Sequence, residues 1–193
     1  ENGSVVFLTG ESSLMVNHLL WRIEEILQDH ANFVRINRSE IVNLDRVDGF
    51  EGNCYYVGKQ DEGILVDVGI TAQQILKSLA QNDLSMANVK AVLITHDHID
   101  HVKGLEVLMK NHPVPIYAHA DCLQGLAEGS ATKKVDSALF HEVETSQPFG
   151  LCGITIEAFP VMHDGRGAVG YHFDYEGHTL TIATDIGMLD KVV

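Results

Sequence analysis

The chain has 193 residues, enough for one domain with a core of its own, and its 45% hydrophobic and 21% charged content is that of a globular protein. A formal net charge of −14 excludes nucleic-acid binding through a broad basic face and leaves only local recognition of phosphate, by a metal or a small cationic patch. Apolar runs fall short of a membrane span and no secretory leader pattern opens the chain, so no membrane partner is expected.

The first fifty residues read differently from the rest. Val5 to Leu8 predicts a short strand, and Leu19, Leu20, Ile23, Ile26 and Leu27 recur at helical spacing up to Asp29-His30. Phe33 to Ile36 and Ile41 to Leu44 predict two short strands around a polar turn. From Asn53 strands and helices alternate. Cys54 to Val57 and Ile64 to Val68 are β-prone, and Thr71 caps a predicted helix through Gln81 with Ile75, Leu76 and Leu79 inward. Val89 to Ile94 predicts a buried strand, followed by a helix from about His101 to Asn111 that Pro113 stops. Val114 to Ala118 is a further strand, and Asp121 to Lys134 is helix or loop. Ile154 to Val161, Gly170 to Tyr175 and Thr179 to Thr184 are strands, the last two joined by a hairpin turn at Glu176-Gly177-His178. The pattern is that of a layered α/β architecture.

Cys54, Cys122 and Cys152 are odd in number, far apart and without a CxxC pair. They read as small buried hydrophobes in a reducing compartment, which places the protein in the cytoplasm. The chain opens on Glu1 and is expected to be trimmed, processed or a fragment.

The chemistry concentrates directly after the strand Val89 to Ile94, in Thr95-His96-Asp97-His98-Ile99-Asp100-His101. Histidines two apart on an extended backbone point the same way, and a following helical turn returns Asp100 and His101 towards them. So dense a polar cluster needs a partner that offsets its desolvation, and a divalent cation is the obvious one. Further ligands are expected at strand ends. His163 follows one strand in Pro160-Val161-Met162-His163-Asp164-Gly165, and Asp185 follows another in Ala183-Thr184-Asp185-Ile186-Gly187. Asp67 is an acid inside the apolar Leu65-Val66-Asp67-Val68-Gly69 and needs something to pair with it. His112, His119, His141, His172 and His178 lack such context and read as surface or satisfied core histidines; His119 and His172, beside strands, have the best claim to a role.

From Asn53 onward the sequence resembles the metallo-β-lactamase fold superfamily of metallohydrolases. His96-Asp97-His98-Ile99-Asp100-His101 matches its HxHxDH signature, with Asp67, His163 and Asp185 in the order of its flanking motifs. Gly52-Asn53-Cys54-Tyr55-Tyr56 and Thr95-His96-Asp97-His98 look most similar to the YycJ-type bacterial branch, regarded as nuclease-like phosphodiesterases. The resemblance implies an αββα sandwich and two adjacent divalent ions, zinc or manganese, activating a hydroxide against a phosphodiester or nucleic-acid substrate. His96, His98 and His163 would hold the first ion; Asp100 and His101 would hold the second, with Asp185 bridging. Asp67 would orient a ligand from behind, and Asp100 would also orient the hydroxide.

Two departures from the family accompany this. A last histidine on a later strand is expected in that superfamily, and none follows His178, so the second metal site is expected to be incomplete and the last strands of the sandwich missing. The other departure is the segment before Asn53, where Phe33-Val34-Arg35-Ile36-Asn37-Arg38-Ser39-Glu40-Ile41-Val42-Asn43 is similar to the F-x-R-x-x-R-S-x-x-V-N pattern of LytTR-type DNA-binding domains. That likeness places Arg38 where a DNA-contacting side chain is presented; the alternative is an ordinary strand-turn-strand with exposed arginines. The expected division is a short, partial α+β LytTR-like segment over 1–50 and a metallo-β-lactamase-like domain over 51–193. Three functions compete: a metal-dependent hydrolase of phosphodiesters, a DNA-binding regulatory module, and a metal-binding remnant without turnover. A thioesterase of glyoxalase II type is the alternative enzyme.

Overall fold

The computed structural model describes residues 52–59 and 61–185, together with the backbone of 33–35 and 41–43. The two early strands, β1 (Phe33–Arg35) and β2 (Ile41–Asn43), form an antiparallel pair with Val34 opposite Val42. Arg38, the strand expected at Val5 to Leu8 and the helix expected at Leu19 to Leu27 lie outside the described residues.

From residue 52 the order is β3 (Tyr55–Gly58), β4 (Gly63–Val66), α1 (Ala72–Gln81), β5 (Val89–Leu93), α2 (Ile99–Val102), α3 (Leu105–Asn111), β6 (Ile116–Ala118), α4 (Ala120–Glu128), β7 (Phe140–Glu142), β8 (Phe149–Leu151), β9 (Ile154–Pro160), β10 (Val169–Tyr175) and β11 (His178–Ile182). Strands β3-β4-β5-β6-β7 make one sheet, parallel from β4 to β7, and β11-β10-β9-β8 make a second, antiparallel throughout. β4 is buried at every position because both of its faces are covered. Leu65 and Val92 pack with Ile75 and Leu79 of α1, Leu105 and Leu108 of α3 and Leu126 of α4. Ile64, Val66, Ala91 and Leu93 face the other way, onto Ile156, Ala158, Tyr171 and Phe173 of the second sheet. β9 alternates accordingly, with Ile154, Ile156 and Ala158 buried and Thr155 exposed. The described residues thus supply a helix layer and two sheets, three layers of the expected four, in a mixed α/β sandwich.

Several boundaries move for stated reasons. The helix expected from His101 to Asn111 is two helices, because Gly104 N–H donates to Val68 O and Asp100 O accepts from Asn53 N–H instead of pairing with each other, and Gly104 packs so closely that a β-carbon would lie 2.4 Å from Ile70 O. Asp121 to Lys134 resolves into the body of α4 as far as Glu128 and turns beyond it, and the first turn of α4 is capped by His119 Nδ1 accepting from Asp121 N–H. The strand expected through Val68 ends at Val66, since Asp67 takes φ 56°. The hairpin turn is Glu176-Gly177 alone, both at positive φ, and His178 pairs opposite Tyr175. β7 and β8, three residues each, carry too short a pattern to be read from sequence. All three cysteines are free; Cys54 and Cys122 are buried, whereas Cys152 is half-buried in the β8–β9 turn at φ 54°, not the core residue expected.

Two hydrogen bonds pin the sheets together directly beneath the histidine-rich loop. Tyr171, fully buried on β10, donates its hydroxyl to Ile94 O at 2.8 Å, and Val169 N–H donates to Thr95 O at 3.0 Å. Tyr171→Phe keeps the ring and removes only the buried hydroxyl. The substitution is expected to cost about 1–2 kcal/mol in urea unfolding of the metal-free protein, and no change in midpoint would contradict it.

Candidate metal centre

The site sits beyond the ends of β4, β5 and β9 to β11, where the chain leaves the sandwich. At the end of β4, Asp67 N–H donates to Leu93 O at 2.8 Å, and the carboxylate turns under the histidine loop with no exposed surface. Asp67 Oδ1 accepts from Thr95 N–H at 2.8 Å, and Oδ2 accepts from Thr95 Oγ1–H at 2.8 Å and His101 Nδ1–H at 2.8 Å. Three donors satisfy a buried carboxylate that would otherwise be expensive to desolvate. Backbone contacts complete the seating: Val68 N–H donates to His101 O, and Asn53 N–H to Asp100 O. Gly69 is needed for this approach, since a β-carbon there would fall 1.5 Å from Asp100 O.

Four imidazoles then close on one another. Ring centroids are 3.9 Å apart for His96 and His101, 4.5 Å for His96 and His163, 4.7 Å for His96 and His98, and 4.8 Å for His98 and His163. Asp185, at φ 52° beyond β11, reaches into them. Its Oδ2 lies 2.6 Å from His101 Nε2, 3.3 Å from His96 Nε2 and 4.0 Å from His163 Nε2. Burial and the neighbouring imidazoles hold the His96 pKa down to about 4. Burial also acts to lower that of His101, but the Asp67 and Asp185 carboxylates overcome it and raise the value to about 10. Asp185 is pushed up by its own burial yet ends below the usual carboxylate range because of His101.

These donors fit a cation. His96 and His101 each set Nδ1 against the Thr95-Asp67 pair, His96 at 3.1 Å from Thr95 Oγ1, which turns both Nε2 atoms towards the cluster. Among the described residues the buried His96 Nε2 makes no hydrogen bond, with Asp185 Oδ2 3.3 Å away, which suits a lone pair aimed at an ion. Two triads bring their ligand atoms within 4.8 Å of one another: His96, His98 and His163, and His96, His101 and Asp185. The first is the set that the resemblance implies. The second differs from that reading: His96 joins His101 and Asp185, while Asp100 stands outside both triads, half-exposed, with Oδ2 3.5 Å from His101 Nε2. Asp67 touches His101 from behind.

Other residues around the centre had no local signal. Asn53 Nδ2 lies 2.9 Å from His101 Nε2 and Tyr55 donates to Asn53 Oδ1 at 3.1 Å, a contact across 48 residues of sequence. Thr95 belongs to the motif run, but nothing in its spacing shows that its hydroxyl links Asp67 to two histidines. Asp164 Oδ1, highly exposed, lies 3.3 Å from His163 Nδ1 and 3.8 Å from His98 Nε2. The remaining described histidines take no place in either triad: His141 stacks on Tyr117, His172 Nδ1 meets Thr181 Oγ1 at 2.8 Å, and His119 caps α4.

Sheet order, strand-end histidines and the buried Asp67 together are those of a metallohydrolase sandwich, and a β-lactamase superfamily domain matches residues 63–193. The chain belongs to that superfamily, the metallo-β-lactamase-fold hydrolases. It is 31% identical over 139 residues to the exodeoxyribonuclease YycJ of Bacillus anthracis and, over the same length, to the exodeoxyribonuclease WalJ of Streptococcus pneumoniae. Each match covers 72% of this chain and 52% of the relative, so the chain spans about half the length of these relatives. A shorter match, 40% over 73 residues, links it to a hydroxyacylglutathione hydrolase of Hahella chejuensis, covering 37% of this chain and 27% of that one. Among solved structures, a metallo-β-lactamase of Cronobacter sakazakii with a HARLDQ motif superposes with a TM-score of 0.57 at 21% identity, over 67% of this chain and 54% of the other. A B3 metallo-β-lactamase with an active-site glutamic acid gives 0.59 at 18%, over 70% and 57%. At such identities the structural likeness shows the fold.

Asp67→Ala strips the buried His101 of its carboxylate partner and leaves two Thr95 donors unpaired. It is expected to destabilise the metal-free protein by about 3–5 kcal/mol, where Tyr171→Phe costs far less. Equal midpoints for Asp67→Ala and the parent in chemical denaturation would contradict the role given to this carboxylate.

Proposed function

We propose that the chain carries the metal centre of a hydrolase acting on phosphodiesters of nucleic acid, with two divalent ions, zinc or manganese, as cofactors. The observation that supports it most is the buried Nε2 of His96, without a hydrogen bond among the described residues, at the meeting point of both triads. In this reading His96, His98 and His163 hold one ion, and His101 and Asp185 belong to the second, Asp185 standing between the two. When bound, such ions supply Lewis acidity towards a phosphate oxygen and lower the pKa of a water near neutral pH.

The chain's own groups do the positioning. Thr95 and Asp67 hold the Nδ1 protons of His96 and His101 and so keep both Nε2 atoms directed inward. Asp185 presents one oxygen to three imidazoles. Asp100, half in solvent beside His101, is placed to accept a hydrogen bond from an incoming water, which is the catalytic role proposed for it. The substrate class follows the exodeoxyribonuclease names of the YycJ and WalJ relatives and suits an acidic protein that recognises phosphate locally. The division near residue 51 belongs to the same proposal, and the antiparallel pair β1 and β2, with Arg38 between them in sequence, suits a LytTR-like segment and an ordinary strand-turn-strand alike.

A thioesterase is the competing enzyme, from the hydroxyacylglutathione hydrolase match. Assays of the zinc- and manganese-loaded chain on bis-p-nitrophenyl phosphate, end-labelled DNA and S-lactoylglutathione separate the two. Phosphodiester turnover abolished by a chelator is expected; thioester turnover alone, or no turnover with a full complement of metal, would overturn the proposal. His96→Ala and His163→Ala are each expected to weaken metal binding by more than the about 10–100-fold typical of groups behind a ligand. His112→Ala is expected to bind as the parent does, and unchanged metal stoichiometry in either ligand variant would overturn the assignment.

A further inference from the structure

Two of the three histidines in the first triad, His96 and His98, arrive on one loop, whereas His163 arrives on another, between β9 and β10. The triad therefore depends on what holds these loops in register. Asp97 lies between His96 and His98, and alternation along an extended backbone turns its side chain away from the imidazoles. There its Oδ1 accepts from Arg166 N–H at 3.1 Å, three residues beyond His163. The carboxylate, about four-fifths buried with 19% exposed, also rests against α4, where a β-carbon on Gly125 would lie 2.1 Å from Asp97 Oδ2. Gly125 is the residue that lets the acid in.

The rest of the loop seats on the same surface. Gly165 lies against the His96 ring, with room for no β-carbon beyond 2.4 Å from Cδ2, and Gly167, at φ 55°, lies against His119. The Arg166 side chain continues outward, donating from Nη1 to Glu128 Oε2 at 2.6 Å, while Gln124 Nε2 donates to Glu128 Oε1 at 3.0 Å. Both partners of that outer ion pair are half in solvent, so it contributes little by itself. Between the ligand loops themselves, the His163 and His98 rings meet at 3.1 Å and Arg166 Nε stands 3.9 Å from Asp97 Oδ2, but the bond from the Arg166 backbone to the mostly buried Asp97 is the one that fixes the backbone three residues beyond His163.

We infer that Asp97 is a positioning residue for His163, acting through the Arg166 backbone N–H with Gly125 as the gap that admits its carboxylate. The inference rests on the reading of His163 as a metal ligand. Within the centre it gives the otherwise unassigned acid of the His-Asp-His run a task distinct from the ligands on either side.

Cobalt(II) titrations followed by the d–d absorption bands, on the full chain, test it with a readout independent of turnover. Asp97→Ala is expected to weaken cobalt binding by about 10-fold or more and to change the band shape. Asp97→Asn retains the acceptor oxygen and is expected to bind within about three-fold of the parent. In a His163→Ala background, Asp97→Ala is expected to add nothing further, because its effect passes through that imidazole. Should Asp97→Ala not fold, Gly125→Ala takes its place, pressing on the carboxylate without removing a polar group. Cobalt binding unchanged in Asp97→Ala, an Asn variant as weak as the Ala variant, or an effect that persists in the His163→Ala background would each overturn the inference. Unchanged bands in His163→Ala alone would instead remove the ligand reading itself, and the inference with it.

Discussion

A fully buried carboxylate at the end of a parallel strand organises this molecule. Asp67 has no solvent to turn to, and its oxygens take hydrogen bonds from the backbone and hydroxyl of Thr95 and from the ring of His101. Those three bonds decide where the next strand ends, which way His101 faces, and which ring nitrogens are left pointing inward. The carboxylate is thus satisfied by the groups it orients, so the desolvation that would make it a liability becomes the reason the centre has one arrangement. Its positive φ belongs to the same device: a left-handed residue ends β4 abruptly and turns the side chain under the histidine loop.

Around that pivot, the sandwich supplies rigidity. Strand ends from both sheets contribute to the centre, and the sheets are joined beneath it by Tyr171 and by the backbone of Val169. Ligands drawn from the ends of different strands are held by the whole core, which is how a cluster of four imidazoles and a carboxylate stays assembled when their mutual crowding opposes it. The cluster is electrostatically unfinished: burial lowers the pKa of one histidine, two carboxylates raise that of another, and among the described residues a buried nitrogen makes no hydrogen bond.

Much of this was legible in the sequence, and the boundary of what was legible has physical causes. His96, His98 and His163 stood out because the dense run from His96 to His101 matches the HxHxDH signature and gives His163 its context, whereas His119, directly after a strand, only caps α4. Asp67 was conspicuous as an acid in an apolar run, although the run hid the strand break that its φ imposes. Asn53, Thr95 and Asp97 were not legible as parts of the centre, since their partners lie 48 residues away, in a hydroxyl geometry, and at a backbone N–H 69 residues on. Gly104 concealed a break between two helices because glycine inside an apolar periodicity looks tolerable until the carbonyl it packs against is known. The three-residue strands β7 and β8 are edge strands defined by pairing and not by pattern.

Anomalous diffraction at the zinc edge, from crystals of the chain grown with zinc, addresses the centre most directly. A strong peak is expected about 2.0–2.1 Å from His96 Nε2 and within bonding reach of a ring nitrogen of His98 and of His163. Zinc bound only at outlying histidines such as His112 or His178, with His96 Nε2 bare, would contradict it.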